Sequence, residues 1–169
     1  FMSARYYQDI ARTLEAGKFH MAFFDDRLAM PDRYGMSADE SLKNGVRVVK
    51  MDPIPILSMM GAVTSKLGLG ATASTTYYEP FHVARQFSTL DHMTDGRAAW
   101  NVVTSLNDSE AANYGQDALL GHDDRYERAD EFMDVVHGHW DTWADDAIIM
   151  DKANGIFADP TKVKALNHV

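Results

Sequence analysis

The stretch Arg85–Ser105, "RQFSTLDHMTDGRAAWNVVTS", decides the fold. Val83, just ahead of it, and then Phe87, Leu90 and Met93 recur at three- and four-residue spacing, which predicts a helix that Gly96 ends. With only Gly96 and Arg97 between, the chain continues into "AAWNVVTS" (98–105), which reads as a buried strand closing in small hydroxyl residues. A helix that turns at once into such a strand is the joint of a crossover unit, with its polar side chains gathered at the strand's carboxyl end.

The same alternation extends in both directions. Upstream, Ile10, Ala11 and Leu14 share a helical face and Gly17 is placed as a stop. "HMAFFDD" (20–26) reads as a short strand, and "RLAMPDRYGMSADESLKNG" as a loop. "MDPIPILSMMGAVTSKLG" has Pro53 and Pro55 at its start and Gly68 at its end, the asymmetry expected of a helix. "LGATAS" (69–74) is a small-residue strand and "TTYYEPFH" the loop leaving it.

Downstream, Asn107 and Glu110 have the spacing of a helix-starting box, in a segment too polar for a long helix. Tyr126, Ala129, Met133, Val136 and Trp140 then line one face of a helix over 124–141. Residues 142–169 read as an insertion segment or a hairpin. Helix and strand alternate throughout, so the fold class is α/β with parallel strands joined by crossover helices. A (β/α)8 barrel needs about 250 residues, so three strands make less than half of one. By pattern alone a doubly wound sheet also fits, and residues 1–169 form one domain or part of one.

Bulk properties exclude several functions. Sixteen Lys and Arg against twenty-five Asp and Glu leave a net charge of −9 without basic clusters, so nucleic acid is not an expected partner. With no cysteine there is no disulfide, thiolate nucleophile or Cys-based metal site. No signal-peptide pattern or membrane-spanning run is visible, which makes the cytoplasm the expected location. The sequence begins at Phe1 and stops at "ALNHV", and a piece of a longer polypeptide is expected.

In either α/β architecture ligands bind at the carboxyl ends of the strands. That places Asp25, Asp26, residues 72–74 and "NVVTS" on one rim, where small hydroxyl and amide groups suit a polar ring system. Asp25 and Asp26, adjacent on a strand, point to opposite faces and make a poor acid–base pair. "GLGATA" lacks the third glycine of a dinucleotide fingerprint and follows a helix. "HGH" (137–139) has the wrong helical spacing for a metal site and reads as solvated surface, and no metal ligands are expected. His82, His92 and His122 are isolated. Tyr126 is either core or, with His122, part of an anion site at a helix start.

Taken together, "GATASTTYYEPFHVARQFSTLDHMTDGRAAWNVVTS", "AANYG" and "HDDRYERADEF" closely resemble the flavin-dependent monooxygenases of the bacterial luciferase-like superfamily, in the subgroup that oxidises nitrilotriacetate, EDTA, dibenzothiophene sulfone and long-chain alkanes. The resemblance runs from "YYQDIARTLEAGKF" to "FADPTKVKALNHV". It implies a (β/α)8 TIM barrel, of which this chain covers roughly the first half without the first strand. It also implies FMN, used as FMNH2 from a separate NAD(P)H:FMN reductase, and O2, from which one atom passes to a small organic substrate. Carried over by position, the flavin contacts are Asp26, Thr72, His122 and Tyr126, with Asn101 near the ring system; no residue receives a catalytic role. A homo-oligomer is the expectation for the complete protein. The rival expectations are a non-catalytic flavin-binding module and a barrel hydrolase using Asp25 or Asp26 with His122.

Overall fold

The computed structural model describes residues 2–168. Ser3 opens α1 (Ala4–Ala16) by accepting the Tyr6 amide, and the helix closes at Gly17, the stop the sequence predicts, where the Gly17 amide meets the Thr13 carbonyl and the Lys18 amide that of Glu15. After β1 (Met21–Phe24) comes a long connection that carries a single 3-10 turn (Tyr34–Met36) and the six-residue α2 (Asp39–Asn44). The loop reading missed α2 because none of its residues is buried, so it has no apolar stripe.

α3 (Pro53–Gly61) starts as expected: the Asp52 carboxylate accepts the Ile54 amide at 2.9 Å, and Pro53 occupies the first turn. Its end is a correction. The helix stops at Gly61, and Gly68 is the first residue of β2 (Gly68–Ser74). Gly68 is there for close approach, since a Cβ would lie 3.0 Å from the His20 carbonyl oxygen and 3.3 Å from Met21 Cβ on the neighbouring strand.

α4 (Pro80–Met93) leads into β3 (Ala98–Val103). Val83, Phe87 and Leu90 are buried as their spacing predicts, while Met93, expected on the same stripe, is 80% exposed beyond the last packed turn. At the joint Gly96 takes φ +77°, a conformation that costs an L side chain about 1–2 kcal/mol. Arg97 is a staple at the opposite end of the sheet from the site. Its guanidinium donates to the carbonyls of Thr94 (2.7 Å), Leu67 (2.8 Å), Thr64 (3.0 Å) and Gly61 (3.3 Å) and to the Thr64 hydroxyl (3.0 Å). One side chain thereby ties the end of α3 to the start of β3.

The three strands form a parallel sheet in the order β1–β2–β3, with Phe23 opposite Gly70 and Thr72 opposite Asn101. Ala22, Leu69, Ala71 and Ala73 face the helices and meet Leu57, Met60, Val83 and Phe87 in the core. Leu57, Met60, Leu67 and Leu69 are fully buried, each contributing about 1.5–3 kcal/mol. Trp100 extends this layer, stacking on Phe87 at 5.4 Å and leaning on Phe132 at 6.1 Å. The alternate residues Met21, Phe23 and Asn101 lie on the open face of the sheet.

α5 (Asp108–Asn113) is one short helix in which Asn107 occupies the cap position without a side-chain cap bond. α6 (His122–Trp140) buries Arg125, Ala129, Phe132 and Val136. Of the expected stripe, Ala129 and Val136 are buried and Met133 is half-buried, while Trp140 and Tyr126 are exposed, Tyr126 at 54%, and Arg125 takes the inward position beside it. The chain beyond α6 carries a hairpin of β4 (Ile148–Asp151) and β5 (Ile156–Ala158), tethered by a bridge between Trp143 and Val163. Among the described residues no helix is long and apolar enough to cross a membrane.

Candidate functional site at the carboxyl ends of the strands

Asp26 follows β1 and accepts a hydrogen bond from the Tyr78 hydroxyl at 3.1 Å. Burial holds its carboxyl above the ordinary aspartate value of 3.8, and the Tyr78 bond works in the opposite direction. Asp25 turns the other way, to an ion pair with Lys50 and a longer contact with Arg47 at 3.7 Å, so its pKa is lowered. The two carboxylates are divided between different partners and do not form an acid–base pair.

Thr72 and Asn101, register partners on β2 and β3, share a face. The Asn101 amide donates to the Thr72 hydroxyl at 3.1 Å; Thr72 is buried and Asn101 exposed. Beyond them the strand ends are laced by hydroxyl groups. Ser74 and Ser105 exchange a hydrogen bond at 2.8 Å, and the Thr76 hydroxyl donates to the Thr104 carbonyl at 2.8 Å. Ser105 has φ +64°, a strained conformation for a non-glycine residue, of the kind that gathers at functional sites.

That strain is held by α6. Arg125, 8% exposed, donates to the carbonyls of Ser105, Thr104 and Gly121. Arg128 donates to the Thr75 carbonyl at 3.1 Å. These bonds fasten the start of α6 to the ends of β2 and β3 and bring His122 and Tyr126 to the same end of the sheet. Their rings lie 4.9 Å apart, and His122 Nδ1 is 2.8 Å from the Asp123 carboxylate. Gly121 makes no side-chain cap bond, although Asp123 and Asp124 put negative charge in the first turn.

The structure thus joins Thr72 to Asn101 and His122 to Tyr126, and links Asp26 to neither pair. Among the described residues, Asp26 and His122 share no hydrogen bond or ion pair, so the hydrolase pairing is not assembled. No group of His, Asp and Glu able to hold a metal occurs among the described residues. Sequence reasoning missed Tyr78, Arg125 and Arg128. Arg125 had a readable signal: positions 125, 129, 132 and 136 make an unbroken helical stripe once an arginine is allowed on the buried face. A concavity of about 940 Å³ lies away from this rim, between α4, α6 and the tail, and is lined by Phe87, Trp100, Trp140 and Trp143.

Residues 2–159 match the luciferase-like monooxygenase family. The chain belongs to this family. It is 53% identical over 169 residues to dibenzothiophene-sulfone monooxygenase of Rhodococcus erythropolis, covering 99% of this chain and 37% of that protein. It is 41% identical over 169 residues to nitrilotriacetate monooxygenase component A of Aminobacter aminovorans, covering 98% and 37%. A crystal structure of riboflavin lyase with modified FMN and riboflavin matches it with a TM-score of 0.93 at 35% identity, over 99% of this chain and 38% of that one. The chain therefore spans less than two fifths of the length of these luciferase-like relatives. Its three parallel strands and crossover helices are part of the family's (β/α)8 barrel.

Proposed function

We propose that this chain is the part of a flavin-dependent monooxygenase that supplies one side of the FMN site. The observation that carries the reading is the Asn101–Thr72 pair on the open sheet face, at the carboxyl end, in a chain of this family. An amide and a hydroxyl offer neutral donors and acceptors, the set a flavin ring requires, while His122 and Tyr126 at the start of α6 supply donors for the phosphate end against the negative charge of Asp123 and Asp124. Asp26, held by Tyr78, adds an acceptor for an N–H or O–H of the cofactor.

Bound reduced FMN supplies the reaction with O2 that delivers one oxygen atom to the substrate. The chain's own residues bind and orient it: Thr72 and Asn101 hold the ring, Asp26 fixes one polar edge, and Arg125 keeps the rim in place. FMNH2 comes from a separate NAD(P)H:FMN reductase, a reading supported by the relative named as component A. The substrate is a small organosulfur compound, aminopolycarboxylate or alkane, as the names of the dibenzothiophene-sulfone, nitrilotriacetate and long-chain alkane monooxygenases among its relatives suggest. Within this reading residues 142–169 are an insertion in a single barrel domain, and the complete protein is a cytoplasmic homo-oligomer.

The test is an anaerobic titration with reduced FMN of the chain and of a polypeptide spanning the whole barrel, each with His122→Ala and Tyr126→Phe variants. Saturable binding that weakens about tenfold in the variants, roughly 1.4 kcal/mol, is expected. Unaltered affinity in both variants, or no binding by either polypeptide, overturns the site.

A further inference from the structure

Tyr78 was read from the sequence only as part of a loop, yet it is the side chain on which Asp26 depends. Its phenol is pushed well above the ordinary value of 10.0, by burial first and the Asp26 charge second, so it stays protonated and acts as the donor of their 3.1 Å bond. The Tyr78 ring packs against the core and meets the edge of Tyr114 at 6.2 Å and 87°. Tyr114 in turn stacks on Tyr77 at 4.7 Å and 14°. The three tyrosines form one wedge between the loop after β2 and the end of α5.

α5 also grips the chain just past Asp26. Asn113 donates to the Leu28 carbonyl at 2.6 Å, and the buried Glu110 carboxylate receives the Leu28 amide at 3.5 Å. Residues Asp26–Leu28 are therefore held at two points, the carboxyl by Tyr78 and the backbone by α5, and Tyr114 connects the two. We propose that Tyr78 is a positioning residue for Asp26: braced by Tyr114, its hydroxyl fixes the orientation of the Asp26 carboxyl at the rim and presents the remaining oxygen to the cofactor. This rests on the flavin reading of Asp26.

The groups that act on Asp26 come from each neighbouring element: Tyr78 from the loop after β2, Lys50 and Asp52 from the approach to α3, and the Arg27 amide from its own loop. Lys50 is committed to Asp25, leaving the Tyr78 hydroxyl as the side-chain hydrogen-bond donor to Asp26 among the described residues.

Carboxyl NMR titration tests this without flavin, the Asp26 signal being assigned by its loss in Asp26→Asn. Tyr78→Phe keeps the ring and its packing on Tyr114 but removes the donor. The Asp26 titration should move upward by about one unit, because a hydrogen bond that favours the charged form is lost. Tyr114→Leu, which keeps the hydroxyl but removes the brace, should move it in the same direction by less. In the whole-barrel polypeptide, Tyr78→Phe should weaken reduced-FMN binding to a similar degree as Asp26→Asn. An unmoved Asp26 titration in Tyr78→Phe overturns the positioning role. An Asp26→Asn variant that binds reduced FMN normally overturns the flavin assignment of Asp26 instead, so the two failures are separable.

Discussion

Asn101 and Thr72 face each other across β2 and β3, and the Asn101 amide donates to the Thr72 hydroxyl at 3.1 Å. Parallel register puts the two residues on one face of the sheet, and their exposures differ. Thr72 is a buried base on which an exposed amide is set.

Thr72→Val should therefore separate binding from stability. Valine fills nearly the same space, and the exposed Asn101 amide finds water, so the change in unfolding free energy should stay within about 1 kcal/mol, the net worth of one hydrogen bond. Reduced-FMN affinity should fall about five- to tenfold as Asn101 loses its fixed orientation. Urea denaturation and an anaerobic flavin titration on the same samples check both halves.

Arg125→Met should be structurally expensive. The buried guanidinium serves the carbonyls of Ser105, Thr104 and Gly121; its loss takes the donor from Ser105, while Thr104 keeps the Thr76 hydroxyl and Gly121 the Arg125 backbone amide. A cost of about 2–3 kcal/mol is expected, which for a chain of this size lowers Tm by about 5–10 °C. Calorimetry measures this directly; a Tm within a degree of the parent would refute the staple.

At the other end of the sheet, Arg97→Lys should cost about 2 kcal/mol, because an ammonium cannot reach four carbonyls and a hydroxyl in the fork geometry of arginine. Gly96→Ala, one residue before, should cost about 1–2 kcal/mol through its positive φ alone. The two penalties are read from denaturant midpoints. Neither substitution should alter flavin affinity beyond the effect of unfolding, because this joint lies away from the site.

Glu15 provides a pH test. Its carboxylate accepts the amides of Ser65, Lys66 and Leu67, and these bonds hold its pKa below the ordinary 4.5. With the folded value depressed, the stabilisation is present above pH 4.5 and is lost as pH falls through the folded value. Melting curves across the acid range should show a drop that is shallower in Glu15→Gln. Identical acid limbs in the two proteins would rule out this contribution.

The α/β alternation was legible because amphipathic helices and short apolar strands have different periods, and both are printed in the spacing of Val83, Phe87 and Leu90 and in "AAWNVV". Stripes alone misled where one position broke the pattern. The stripe aligns Tyr126 with Ala129 and Val136 and leaves it open between core and an anion site; the residue that turns inward is Arg125, satisfied by carbonyls that no local pattern reveals. Gly68 looked like a helix stop because a glycine after an apolar run fits that role as well as it fits a crowded strand crossing.

The sequence by itself determined the order of the packed helices and the three parallel strands, the absence of cysteine chemistry in this chain, and the family, since long ordered motifs need no coordinates to be matched. Which side chains meet was decided only by tertiary structure. Asp26 with Tyr78, Arg97 with Gly61 and Arg125 with Ser105 are separated by 52, 36 and 20 residues respectively. Such contacts depend on strand register and helix rotation, which arise when the whole sheet packs and leave no mark in local spacing.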